Sequence, residues 1–171
     1  MLTVPPQLSR ASATGLVNET DIELFELNVY KTQLVAHQLV SAIMNSKNNV
    51  PTKLRELLYA VGAPASERFD MDVRNQTITT FLVLRFFSVV LTSPQAWQLL
   101  EDEPTPAVST SCANLASILV KVASNKEFRE QDGKLVELNP FIQAQAKKFV
   151  KFYDELMDRF RTSGQPSGTA P

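Results

Sequence analysis

The chain has only one cysteine, Cys112, and one histidine, His37, among its 171 residues. A single cysteine excludes an internal disulfide and a multi-cysteine metal site, and a lone thiol on a helix is usually a small core residue. The single histidine lies in a helical stretch with no serine or cysteine nucleophile in a suitable context. The sequence therefore predicts neither a bound metal nor an enzyme active site of its own.

The chain is also short of glycine and of net charge. It has five glycines, none of them in a phosphate-cradling loop, so we expect no nucleotide site and no cofactor within the chain itself. The 17 basic and 18 acidic residues give a net charge of −1, without the basic excess typical of nucleic-acid binders. The basic pair Lys147 and Lys148 is interpreted as part of a solvated helix face. We expect no nucleic-acid partner.

The sequence predicts no transmembrane segment. The first residues lack a signal-peptide pattern. The longest apolar stretch, residues 81–91, is shorter than the roughly 20 residues that a span needs and carries Arg85 at its centre. We therefore expect a soluble, cytoplasmic protein with no integral membrane segment.

The patterns that are present predict an all-α fold. Helices are predicted over Thr20 to about Ser46, from Pro51 to a stop at Gly62 and Pro64, over about 73–93 and 108–124, and from Pro140, capped by Asn139, to about 161. Residues 1–17 are expected to be irregular, 18–162 to form one helical domain, and 163–171, which are rich in Ser, Gly and Pro, to be disordered.

The stretch from Phe81 to Pro94 contains the most informative single residue. Arg85 lies within an apolar run, which predicts that the third helix is buried nearly all round. A buried guanidinium is costly unless it is paired and hydrogen-bonded, so Arg85 should meet a partner. The residues alone also allow Arg85 to reach solvent along its aliphatic stem, or to pair with a local acid such as Asp72.

The run Phe81-Leu-Val-Leu-Arg-Phe86 resembles the Phe-Leu-Arg signature of Ras GTPase-activating protein domains. Further family motifs follow in the same register, namely Pro94, Pro104-Thr-Pro106, Glu127-Phe128, Asn139-Pro-Phe-Ile142 and Phe152-Tyr-Asp-Glu-Leu156. Weaker similarity reaches back to about residue 23. The resemblance implies a helical domain that docks on a small GTPase of the Ras type and stimulates GTP hydrolysis in the partner's active site.

The resemblance also assigns roles to residues. In this family an arginine inserted in trans neutralises charge that develops on the transferred phosphoryl group. The signature arginine, here Arg85, supports the loop that carries this finger arginine. Leu84 lies beside Arg85 in the same segment.

Two departures from the family pattern qualify this interpretation. The finger arginine precedes the signature in the first half of the domain, and only 80 residues precede Phe81. Arg10, followed by Ala-Ser-Ala, is only faintly similar to the start of a finger loop, so no finger role is assigned to it. We expect a fragment, corresponding to the C-terminal half of the domain, that lacks the finger region and has no catalytic residue of its own.

The second departure concerns the fourth helix. The lysine, glutamine and asparagine that face the GTPase in the family correspond to Ser117, Val120 and Ser124. Two functions stay open: a GTPase-activating domain and a catalytically inactive helical interaction module. The expected interface or support residues are Leu84, Arg85, Ser117, Val120 and Ser124. Flanking domains absent from this chain would recruit it to the inner membrane surface.

Overall fold

The computed structural model describes the backbone of residues 19–163 and, apart from Lys134 and Arg159, the side chains of residues 28–160. This part of the chain consists of helices and connections, without a strand, which confirms the all-α prediction. The segment expected to be irregular, 1–17, and most of the expected disordered tail lie outside the described residues.

Between residues 19 and 163, six α-helices and three other helical segments follow one another. They are α1 (Glu19–Asn45), a 3₁₀ turn (Ser46–Asn49), α2 (Thr52–Arg68), α3 (Met71–Ile78), a π-helical segment (Thr79–Phe87), α4 (Ser88–Thr92), α5 (Pro106–Ser124), a second 3₁₀ segment (Glu130–Leu138) and α6 (Asn139–Ser163). The segments from α3 to α4 run on without a break as one 22-residue helix, Met71–Thr92, called the central helix below.

The predicted end of α2 is wrong. The helix continues through Gly62 and Pro64 to Arg68, although an internal proline removes a hydrogen bond and disfavours helix. Packing overrides this local signal, because α2 lies against α3 and α6. A Cβ on Gly62 would come within 3.1 Å of Ile78 Cδ1, so this glycine serves close helix contact and not helix termination.

Asn139 also differs from its predicted role as a helix cap. Its side chain forms two hydrogen bonds with the backbone of Phe128: Oδ1 accepts from the Phe128 amide at 2.8 Å, and Nδ2 donates to the Phe128 carbonyl at 3.0 Å. These bonds join the start of α6 to the turn that follows α5. Two of the motifs quoted above, Glu127-Phe128 and Asn139-Pro-Phe-Ile142, are therefore in direct contact.

The core is a single hydrophobic cluster with α6 at its centre. Its most deeply buried large side chains are Leu58, Ile78, Ile118, Leu119, Leu138, Ile142, Phe149, Phe152, Tyr153 and Leu156. They come from α2, the central helix, α5, the second 3₁₀ segment and α6. Ile118 and Leu119 lie on the inward face of α5, and Phe149 and Tyr153 on that of α6.

A buried hydrogen-bond chain links three helices in this core. The Thr79 hydroxyl donates to the Ala123 carbonyl at 2.9 Å, so the Tyr153 hydroxyl, 2.8 Å away, donates to Thr79. Burial raises the pKa of Tyr153 well above its usual range, so the phenol stays protonated and can donate. The central helix, α5 and α6 are thereby fixed to one another.

Replacing Tyr153 by phenylalanine is expected to lower the free energy of unfolding by about 1 kcal/mol. The ring still fills its site, and the Thr79 hydroxyl loses its donor but keeps the Ala123 carbonyl. Urea unfolding followed by circular dichroism measures this change. Tyr30→Phe is the matched control, because Tyr30 is exposed. Equal stability of the two variants would contradict the structural role of the hydroxyl.

Two helices are long and apolar enough to cross a membrane when judged by length and composition, Met71–Thr92 and Pro106–Ser124. The same two properties are found in core helices of globular domains. Both helices contribute buried side chains to the hydrophobic cluster, including Ile78 and Ile118. Length and composition therefore do not place either helix in a bilayer.

Candidate partner-docking surface

The central helix begins at a well-defined cap. Asp70 has extended backbone, and its carboxylate accepts a hydrogen bond of 2.8 Å from the Val73 amide. A carboxylate at this position satisfies a free amide and interacts favourably with the helix dipole. The cap marks the start of the central helix, about three turns before the segment Phe81–Phe86.

Arg85 is exposed, which contradicts the prediction of a buried arginine with a partner. The described residues provide it with neither an ion pair nor a hydrogen bond, and Asp72 does not pair with it. The alternative that the sequence left open, a side chain that reaches solvent, is the arrangement observed. The five N–H donors of this guanidinium remain available to a partner.

The π-helical segment Thr79–Phe87 explains this difference. In an α-helix, Arg85 would lie on the same face as Ile78 and Leu82, since positions i, i+4 and i+7 share one face. Ile78 and Leu82 are buried, but the core contacts then pass to Phe87 and Leu91. The i→i+5 hydrogen bonds of a π-helix place more residues in each turn, and this rotates Arg85 outward.

The prediction that this helix is buried nearly all round is also wrong. Four large apolar side chains beside Arg85 are between 39% and 47% exposed: Phe81, Leu84, Phe86 and Val89. Together with Arg85 we call them the signature face. Exposed apolar groups gathered on one helix are typical of a surface that binds a partner.

The candidate residues of α5 occupy one side of that helix. Ser117, Val120 and Ser124 are all half-buried, and Val120 packs against the core. The Ser124 hydroxyl donates to the Val120 carbonyl at 2.7 Å, within its own helix. None of the three presents a charge to a partner.

The structure brings these residues only partly together with the signature face. α5 packs against the π-helical segment and α4. Its last turn lies beside the first turns of the central helix, where Ser124 lines a small cleft with Asp72, Asn75 and Gln76. Ser124 is thus separated from Arg85 by more than two helical turns.

Sequence reasoning missed the arginine that is actually buried. Arg74 is 2% exposed, and its Nη2 lies 2.7 Å from the Asp154 carboxylate on α6. A signal was present, because Arg74, Ile78 and Leu82 follow one another at a spacing of four residues. Asp154 belongs to the motif Phe152-Tyr-Asp-Glu-Leu156, so this motif supports the scaffold through an ion pair.

The described residues contain no group of three or more His, Cys, Asp or Glu side chains that could hold a metal ion. The only cysteine, Cys112, is a half-buried free thiol on α5. The signature face presents the guanidinium of Arg85 and four exposed apolar side chains, and the neighbouring helix α5 adds the hydroxyl groups of Ser117 and Ser124.

Comparison with known proteins gives a family match over residues 5–124, to the model described as GTPase-activator protein for Ras-like GTPase. The match begins well before the signature and includes Arg10, which lies outside the described residues. It ends at the last residue of α5, so the motifs from Glu127 to Leu156 lie beyond it.

Individual relatives agree with this match. The chain is 26% identical over 122 residues to "Probable Ras GTPase-activating-like protein ngap" of Dictyostelium discoideum, covering 70% of this chain and 14% of that protein. It is 24% identical over 150 residues to "Ras GTPase-activating protein 3" of Bos taurus, covering 85% and 18%. Human "Ras GTPase-activating protein 1" is 22% identical over 135 residues, covering 77% and 13%. The chain spans less than a fifth of the length of each of these proteins.

Proposed function

Because this chain belongs to the family of GTPase-activator proteins for Ras-like GTPases, we propose that it docks on a small GTPase of the Ras type and stimulates GTP hydrolysis there. The signature face is the proposed contact. In this function the chain is no enzyme by itself, since the bond is broken in the partner's active site. Such a partner would be met in the cytoplasm, at the inner membrane surface.

The observation that carries this proposal is the exposed Arg85 among apolar neighbours. An exposed guanidinium without a partner in the described part of the chain can hold backbone carbonyls of a loop or groups of the GTPase. Its apolar neighbours Leu84 and Phe86 supply area that is dehydrated on binding. We assign Arg85 a positioning role and not contact with the nucleotide.

The chemical contribution expected of this family is an arginine that neutralises charge on the transferred phosphoryl group, worth about 10³ to 10⁵ in rate. The family match begins upstream of Arg10, which makes Arg10 the residue to test for that role, although its surrounding sequence supports the role only weakly. Loss of acceleration in an Arg10→Ala variant would overturn our prediction that the chain lacks a finger arginine.

The second candidate function is a catalytically inactive interaction module. It is favoured by the α5 surface, where Ser117, Val120 and Ser124 carry no charge. Charge-assisted hydrogen bonds to a partner contribute roughly 1.5 to 3 kcal/mol each, so a surface without them docks more weakly. This alternative predicts binding to a GTPase, or to another protein, without acceleration of hydrolysis.

A single-turnover assay of GTP hydrolysis separates the two functions. A Ras-type GTPase loaded with GTP is mixed with excess chain, and phosphate release is followed with time. We expect acceleration over the GTPase alone, and a smaller acceleration with Leu84→Ala. A folded chain, verified by circular dichroism, that gives no acceleration at saturating concentration would exclude the activator function and leave the interaction module.

A further inference from the structure

A cleft of about 440 Å³ lies between the C-terminal end of α1 and the middle of α6. The signature face lies on the central helix, which contributes no residue to this cleft. Its lining residues are Met44, Asn45, Lys47 and Asn48 on one side and Lys148, Lys151, Phe152 and Glu155 on the other. Its volume is within the range of small-ligand sites.

The charges in this cleft are unbalanced. Three lysines line it, against one carboxylate, Glu155. Lys47 Nζ lies 2.8 Å from one oxygen of Glu155, and Lys151 Nζ lies 3.8 Å from the other. The exposed Lys148 has no ion pair or hydrogen bond within the described residues. The cleft therefore carries an excess of two positive charges in a chain whose net charge is −1.

The surroundings strengthen this positive field. The guanidinium of Arg55 donates to the backbone carbonyls of Val50, at 3.1 Å, and Lys47, and it has no carboxylate partner among the described residues. It therefore adds a positive charge behind Lys47. Glu155 accepts a hydrogen bond from Lys47, and this bond lowers the pKa of the Glu155 carboxyl group below its usual value.

The donor groups of the cleft suit phosphate oxygens. Ammonium groups bind phosphate as point charges, and the carboxamides of Asn45 and Asn48 add N–H donors. Phe152, the aromatic residue of the lining, is 2% exposed and offers no face on which a base could stack. This arrangement favours a ligand that is recognised by its phosphates and not by a nucleobase.

We propose that this cleft binds a compact polyanion with two or more phosphate groups on a small ring, of the inositol polyphosphate type. Lys148 and Lys151 would contact one phosphate and Lys47 another, in competition with Glu155. The same headgroup occurs free in solution and on phosphoinositide lipids, and the experiment distinguishes these two sources.

The first test is calorimetric titration of the whole chain with inositol hexakisphosphate at about 0.15 M salt. Lys148→Gln is expected to weaken binding about fivefold, which is the effect of one surface cation near an anion. Lys31→Gln is the matched control: it removes the same charge from an exposed site on α1, roughly 20 Å from Asn45 along the helix. A similar loss in both variants would show unspecific attraction and overturn the proposal.

Glu155→Gln provides a second test with the opposite sign. Removing this carboxylate releases Lys47 and Lys151 to the ligand, so affinity should rise several-fold. Glu56→Gln is its control, because Glu56 also pairs with a lysine, Lys53, but on α2 and outside the cleft. An affinity that rises equally in both variants, or does not rise in Glu155→Gln, would contradict the assigned competition.

A sedimentation experiment with lipid vesicles distinguishes a lipid headgroup from a free inositol phosphate. Phosphatidylcholine vesicles with and without 5% phosphatidylinositol bisphosphate, a composition on the order of cellular signalling membranes, are sedimented with the chain. Binding that needs the phosphoinositide and weakens in Lys148→Gln supports a lipid headgroup. Binding of the soluble probe alone supports a free inositol phosphate. Failure of both to bind would overturn the proposal, whatever the outcome of the GTP hydrolysis assay.

Discussion

Replacing Asp154 by asparagine is expected to lower the free energy of unfolding by about 3 kcal/mol. Arg74 is 2% exposed, and Asp154 supplies its ion pair, at 2.7 Å. In the asparagine variant the guanidinium loses its counter-ion and retains neutral contacts, the amide oxygen of the new side chain and the Met71 sulfur 3.7 Å away. Its Nε already lacks a hydrogen-bond partner. A buried charge without a counter-ion costs more than the pair contributes.

Asp154 itself is 39% exposed, which makes the pair asymmetric. Arg74→Met removes the buried charge and leaves a carboxylate that water can reach, so we expect this variant to lose less than half as much stability as Asp154→Asn. Denaturant unfolding of both variants measures which of them loses more stability. The matched control is Asp158→Asn, an exposed carboxylate one turn further along α6, which should change stability by less than about 0.5 kcal/mol.

The reverse order, with Arg74→Met more damaging than Asp154→Asn, would show that the aliphatic part of Arg74 contributes more than its charge. An equal change in unfolding free energy in Asp154→Asn and Asp158→Asn would show that the ion pair between Arg74 and Asp154 is too hydrated to stabilise the fold. Either result would show that the charge of Asp154 does not stabilise the fold through Arg74.

Most of the fold follows from sequence patterns that act locally. Apolar spacing of three and four residues predicted the helices α5 and α6, because both are α-helical throughout and pack on one side. The end of α1 near Ser46 and the start of α5 after Thr105 coincide with polar or capping residues. Where local propensity and packing agree, the sequence is sufficient.

The predictions that were wrong depend on contacts between residues that are distant in the sequence. α2 passes through Pro64 because contacts of Gly62 with Ile78 and Met157, distant in sequence, favour the longer helix. Asn139 bonds to Phe128 instead of capping α6, since that backbone happens to lie within reach. No single-segment pattern contains this information.

Arg85 is the most instructive difference for the candidate site. Its exposure depends on the π-helical geometry of Thr79–Phe87, which a spacing rule for α-helices cannot represent. The sequence argument named Arg85 as the buried arginine that must be paired, and this was wrong. The arginine that is buried and paired is Arg74, which lies before the π-helical segment, where the α-helical spacing still holds.

A second large effect is expected on function: Arg85→Ala should reduce the acceleration of GTP hydrolysis about a hundredfold, while unfolding free energy changes by no more than about 0.5 kcal/mol. The variant is expected to lose activity but not stability, because Arg85 is exposed and makes no ion pair or hydrogen bond within the described residues. Its loss removes little from the fold. In the proposed function it positions backbone carbonyls of a loop or groups of the GTPase near the reacting phosphate, and misplacement of such groups by about 1 Å has effects of this size.

Arg85→Lys tests whether geometry or charge matters. A lysine keeps the charge but lacks the planar fork that bonds two carbonyls at once, so a positioning role predicts that most of the activity is lost. Under saturating chain, the fall should occur in the rate of hydrolysis and not in the half-maximal concentration. An unchanged rate at saturation with a raised half-maximal concentration would instead assign Arg85 to docking.

Arg68→Ala is the matched control, because Arg68 is an exposed arginine at the end of α2 without an ion pair in the described part of the chain. It should leave both hydrolysis and stability unchanged. If Arg85→Ala behaves like Arg68→Ala in an active chain, the signature arginine has no positioning role here. Conversely, if Arg85→Ala destabilises the fold as much as it slows hydrolysis, Arg85 has a purely structural role. The combination of slow hydrolysis and unchanged stability is the result that only the proposed role explains.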